Sequence, residues 1–133
     1  MVIDVHHINI VVRDLDQAIS QYSRLLGYFA PIRERLPSRG METARYRIGR
    51  TWLVLVMPTD PAGIVGRHLA QHGGGVSLLS FRVEDLNEAT NELRIRGVKI
   101  ADDRPRTGLA NWHVQDVALA HDVRLTLQLC EEG

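Results

Sequence analysis

From His7 to Val12 the chain alternates in the period of a strand with one buried face: Ile8, Ile10 and Val12 on one side, His7, Asn9 and Val11 on the other. The period then lengthens. Leu15, Ala18, Ile19, Tyr22, Leu25 and Leu26 fall on one side of a helix. Asp14 with Gln17 reads as its capping box, and Gly27 as its stop. The same design recurs at an offset of 71 residues, Leu79–Ala89 matching Ile8–Ala18 and Asp85 matching Asp14. The second helix carries Leu86, Ala89, Thr90 and Leu93 and stops at Gly97. Strand-like segments follow each helix, over 28–35, 44–48 and 51–57 in the first copy and 98–102, 112–119 and 124–130 in the second. A tight Gly49-Arg50 turn joins two of them.

Each half therefore reads β-α-β-β-β, an α+β design, with modules over roughly 1–58 and 76–133 of a single domain. The connector, 59–75, has Pro58 and Pro61 at its start and a glycine triplet at its end, with a short helix expected over 64–71. Residues 104–110 read as a loop at the edge of a site.

Alternation sorts the other strands too. Leu79, Phe81 and Val83 share the helix-facing side of their strand, leaving Leu78, Ser80 and Arg82 opposite. On the last strand Leu125, Leu127 and Leu129 form the apolar row, leaving Thr126, Gln128 and Cys130. The segment 112–119 alternates too weakly to fix a face.

Composition narrows the classes. Sixteen basic and sixteen acidic residues cancel, which argues against a nucleic-acid binder or a polybasic membrane-surface protein. The longest apolar run, Trp52 to Met57, is too short to span a bilayer. No basic-then-apolar leader is visible, so a cytoplasmic address is expected. The single cysteine, Cys130, is read as excluding an intrachain disulfide framework and a Cys-based zinc site. Fifteen of the sixteen basic residues are Arg, which fits either a compositional bias or bidentate holding of carboxylates and phosphates.

The tandem repeat resembles the vicinal oxygen chelate superfamily of glyoxalases, bleomycin-resistance proteins, extradiol dioxygenases and methylmalonyl-CoA epimerases. The stretches HHINIVVRDLDQAISQYSRLLG, IVGRHLAQHGGGVSLLSFRVEDLNEA and LTLQLCEE look most like the epimerases. The resemblance implies that the modules curl into a mixed-sheet cup with helices outside and the ligand within. It also implies a homodimer, and that Trp52, Val54 and Val56 face inward. Metal-dependent members hold a divalent ion with four inward side chains. Carried onto this chain, those positions are His7, Val54, Leu78 and Gln128. Valine and leucine have no lone pair to give, so no divalent ion and no other cofactor is expected. A register slip bringing in His6 or His113 would turn Ile8, Ile10 and Val12 to the wrong side.

What remains is a mixed pocket for a small molecule. His7 is the candidate catalytic group; Asn9, Val11, Trp52, Val54, Leu78, Ser80, Arg82, Thr126 and Gln128 are the candidate ligand contacts. His7 reads equally well as a neutral histidine bonded to Gln128. Arg82 reads either as an anion clamp or as a strand-end residue paired with Glu84 or solvent. Asp102-Asp103 reads as a solvated strand end. Two functions fit: a lyase or isomerase acting on an acyl or polyketide-type substrate, and a non-catalytic protein that sequesters an antibiotic or metabolite.

Overall fold

Asp14 and Asp85 open the two module helices in the same way. Each carboxylate accepts a backbone N–H three residues on, from Gln17 at 3.0 Å and from Glu88 at 2.9 Å. One of the otherwise orphaned first-turn donors is thereby satisfied in each helix. Gly27 and Gly97, at φ +97° and +82°, end those helices in the left-handed region that suits glycine.

The computed structural model describes residues 1–28, 30–102, 104–118 and 124–132. In chain order the elements are β1 (Val2–Val11), α1 (Leu15–Leu25), β2 (Ile32–Leu36), β3 (Met41–Ile48), β4 (Thr51–Pro58), α2 (Ile64–His72), β5 (Gly75–Val83), α3 (Leu86–Ile95), β6 (Lys99–Ile100), β7 (Arg106–Thr107), β8 (His113–Ala118) and β9 (Thr126–Glu131). This is an α+β chain with a βαβββ order in the first half and, in the second, the same order with one further short strand, β7. Two compact units are present, Ile8–Ser77 and Leu78–Gly133 with Met1–His7. Their boundaries fall inside β1 and β5, not in the connector.

In the Ile8–Ser77 unit the strands run β2-β3-β4-β1, with β2/β3 and β3/β4 antiparallel. The β3–β4 hairpin closes at the expected Gly49-Arg50 turn, between Ile48 and Thr51. Leu15, Ala18, Ala44, Tyr46 and Leu55 form the buried core beneath α1, with Ile10, Val12, Ile19, Tyr22 and Leu26 packed against it. Each leucine, isoleucine or valine of this set is worth about 1.5–3 kcal/mol when fully buried. Leu25, expected on this face, is 76% exposed instead; Leu26, one residue on, reaches the core. Helix α2 takes up the connector as expected. Its Gly66 is required by contact, since a Cβ there would lie 2.5 Å from the Asp60 carbonyl oxygen.

In the other unit the order is β1-β5-β9-β8-β6, with β7 also on β8. The β5/β9 pair is parallel; β8 is antiparallel to β9, β6 and β7. Val83, Leu86, Ala89 and Leu129 form its core, joined by Phe81, Leu93 and Val117. The expected loop over 104–110 carries β7 and a single 3₁₀ turn at Leu109–Asn111. Asp102 explains part of that order. Its Oδ2 accepts from Arg106 Nη1 at 2.8 Å and from the Asp116 backbone N–H at 2.9 Å, so it is a strut and not a solvated end. Asp103 lies outside the described residues. No described helix is long and apolar enough to cross a membrane.

Candidate functional site

The face of β5 turned from α3 presents Leu78, Ser80 and Arg82, and the β5/β9 register sets them beside Thr126, Gln128 and Cys130. The β8/β9 register resolves the face that alternation left open. Val114 pairs with Cys130 and Asp116 with Gln128, so these two join the same side. Gln115 and Val117 go with Leu129 and Leu127. His113 is exposed on that second face and does not reach the first.

The polar groups on this side are buried and only partly satisfied. Gln128 Nε2 donates to Asp116 Oδ1 at 3.0 Å, and Arg106 Nη2 donates to the same oxygen at 3.2 Å. Gln128 Oε1 and Ser80 Oγ, on residues 3% and 0% exposed, have no hydrogen-bond partner among the described residues. A buried polar atom left unmatched costs about 1–3 kcal/mol, and native folds keep few of them without a use. Ser80 and Gln128 are direct cross-strand neighbours. Their free hydroxyl and amide oxygen thus make one donor–acceptor patch beside a carboxylate.

His7 is 4% exposed, and its Nδ1 lies 2.8 Å from Nδ1 of His6. His7 pairs with His6 rather than with Gln128, whose Nε2 donates to Asp116 and whose Oε1 has no partner among the described residues. The Trp112 ring stacks on His7 at 4.9 Å and meets His6 edge-on at 4.5 Å. Burial, with the neighbouring His6 as a second cause, lowers the His7 pKa to about 3, so the ring is neutral at physiological pH. On the far side of His6, Nε2 lies 3.5 Å from Glu132 Oε1. Burial works against the Glu132 carboxylate, but Arg82 and His6 together outweigh it and the net pKa is lowered. Arg82 is committed to Asp4, at 2.8 Å, and to Glu132. The guanidinium thus has two carboxylate partners within the fold that alternation along the strand did not indicate. The arginine-rich composition is used in this way elsewhere, as in Arg45 with Glu34 and Arg33 with Asp16 and Glu42.

The other candidate positions lie in the Ile8–Ser77 unit. Val11 and Val54 are buried, at 2% and 0% exposure, and Asn9 Oδ1 is a buried oxygen with no hydrogen-bond partner among the described residues. At Trp52 the guanidinium carbons of Arg47 and Arg45 lie 5.0 and 5.4 Å from the ring centroid. The β3/β4 register places Arg47 opposite Trp52 and Arg45 opposite Val54, a pairing that alternation within single strands did not supply. Of the four positions at which metal-dependent relatives bind an ion, Val54 and Leu78 are hydrocarbon and Gln128 is a neutral amide. That donor set does not fit a divalent ion. Cys130, expected to play no part in metal binding, packs with His6 and His7, one donor atom from each lying within 4.8 Å of the others.

The matching family model is described as the Glyoxalase/Bleomycin resistance protein/Dioxygenase superfamily and covers residues 6–115. The chain belongs to that superfamily. Within it, the chain is similar to methylmalonyl-CoA epimerases of known structure. It shares 27% identity and a TM-score of 0.90 with the enzyme from Mycobacterium tuberculosis, over 99% of this chain and 89% of that one. With a variant of the Streptomyces coelicolor enzyme in complex with 2-nitronate-propionyl-CoA it shares 25% identity and a TM-score of 0.89, over 98% of both. The Bacillus subtilis (strain 168) protein YqjC is 25% identical over 125 residues, 94% of this chain and 89% of the relative.

Proposed function

We propose that this chain is an enzyme that isomerises or cleaves a small acyl compound, without an ion on the superfamily's four-position set. The observation that carries the reading is the buried patch of Ser80 Oγ and Gln128 Oε1 beside the Asp116 carboxylate. The epimerases among its structural neighbours support an isomerase acting on an acyl thioester. The unspent Ser80 O–H suits an acyl oxygen as negative charge develops on it. Gln128 Oε1 accepts an N–H or O–H of the ligand. Asp116 carries the proton taken from the carbon next to the carbonyl. His7, with its Nδ1 tied to His6 and its face covered by Trp112, forms a neutral wall. A homodimer, a cytoplasmic address and a small-molecule partner complete the reading; sedimentation of the purified protein measures the first.

The test is solvent exchange at the substrate carbon. The protein, treated with a chelator, is incubated in D₂O with a panel of acyl-CoA thioesters that includes methylmalonyl-CoA. Deuterium uptake or epimerisation, lost in Asp116→Asn and in Ser80→Ala, supports the enzyme. A ligand that raises the melting temperature but is recovered unchanged and undeuterated rejects it in favour of a sequestering protein.

A further inference from the structure

His6, His7 and Cys130 bring two ring nitrogens and a thiol sulfur within 4.8 Å of one another, on residues 0%, 4% and 0% exposed. We propose that these three side chains form a binding site for a soft d¹⁰ metal ion, Cu⁺ before Zn²⁺. The site shares only His7 with the superfamily's four positions, so Val54 and Leu78 do not bear on it.

The two histidines carry the argument. Their Nδ1 atoms face each other at 2.8 Å, so one must hold a proton and the other a lone pair. Two nitrogens bound tetrahedrally to one ion at about 2.0–2.1 Å lie roughly 3.3 Å apart. A separation of about half an ångström therefore lets an ion replace the shared proton. Glu132 decides which ring is already prepared. A carboxylate only accepts, and its Oε1 lies 3.5 Å from His6 Nε2. At that ion-pair distance the carboxylate favours the His6 proton on Nε2, which leaves the Nδ1 lone pair facing His7, in the sense of a carboxylate–histidine–metal arrangement.

Cys130 selects the ion. One thiolate with two imidazoles is a soft set. Among the described residues the cluster holds three donors, with Trp112 packed on both rings. Cu⁺ is satisfied by three soft donors, whereas Zn²⁺ asks for a fourth. Charge agrees: Cu⁺ with a thiolate is neutral, as a buried site favours, whereas Zn²⁺ leaves a positive charge there. Loading breaks the Cys130 S–H bond and forms the metal–sulfur bond. The His7 proton moves from Nδ1 to Nε2, so one proton leaves per ion and nothing is oxidised or reduced.

The full-length protein is titrated anaerobically with Cu⁺ against a chromogenic Cu⁺ chelator, and separately with Zn²⁺. The expected result is one Cu⁺ per chain, about one proton released per ion, and an X-ray absorption shell of one sulfur and two nitrogens. Cys130→Ser, checked for folding by circular dichroism, loses the sulfur scatterer. Glu132→Gln, which keeps the shape of the side chain, weakens binding about 10-fold. His68→Ala/His72→Ala, which removes the pair on α2, changes nothing. Failure to hold Cu⁺ against the chelator overturns the proposal. So does a shell without sulfur, tighter retention of Zn²⁺ than of Cu⁺, or loss of binding in the α2 variant.

Discussion

Ser80→Ala isolates the reasoning behind the proposed site, because it separates stability from function with opposite signs. The Ser80 hydroxyl is fully buried and has no hydrogen-bond partner among the described residues. An unmatched buried hydroxyl costs about 1–3 kcal/mol. Removing one oxygen leaves a void of roughly 10 Å³, which costs only about 0.2 kcal/mol at ~24 cal/mol per Å³. The net expectation is a gain of about 1 kcal/mol. For a chain of 133 residues, an unfolding entropy near 2.1 cal/mol/K per residue makes that a rise of about 4 °C in melting temperature. Urea unfolding followed by circular dichroism measures it, with the slope unchanged between wild type and variant. The same variant should bind the acyl ligand about 10-fold more weakly, the loss of one hydrogen bond. A variant less stable than wild type by 1 kcal/mol or more would show that the hydroxyl has a partner within the fold. The case for a ligand at Ser80 would then collapse.

Three further expectations follow from the geometry. The His7 pKa is lowered from 6.5 to about 3, so folding disfavours its protonated form. Its stability contribution is complete above pH 6.5 and is lost as pH falls toward 3, at up to about 1.4 kcal/mol per pH unit; urea midpoints in His7→Gln should lack that slope. Arg82→Met leaves Asp4 and Glu132 without their guanidinium. Because both carboxylates are partly exposed, the loss should be about 1–2 kcal/mol and should shrink in high salt; a salt-independent loss would point to packing instead. Gly66→Ala forces a Cβ to 2.5 Å from the Asp60 carbonyl oxygen and should cost more than about 2 kcal/mol by the same urea assay; a neutral result would show that the α2 N-terminus shifts freely.

The fold was legible because its determinants are local. Asp14 and Asp85 cap their own helices, and period-two alternation sorts Ile10 and Val12 from Val11 without any tertiary knowledge. Much of the site was not, because it depends on partners across strands. Asp116 sits in a strand of weak alternation, and only pairing with Gln128 fixes its face. Arg82 pairs with Asp4 and Glu132, 78 and 50 residues away in sequence. Alternation sends adjacent strand residues to opposite sides, yet His6 and His7 bring their Nδ1 atoms together beside Trp112. No spacing rule reports that contact. Leu25 shows the converse, a residue with the right spacing but the wrong angle at the last turn of α1.

The central claim is that Ser80, Gln128 and Asp116 serve proton transfer on an acyl compound without an ion at the superfamily's four positions. Deuterium incorporation into acyl-CoA thioesters in D₂O, by chelator-treated protein with Asp116→Asn alongside, tests it most directly. The account predicts incorporation that survives chelation and disappears in Asp116→Asn. Incorporation that is abolished by the chelator and restored by a divalent ion would contradict it, as would exchange that persists in the variant.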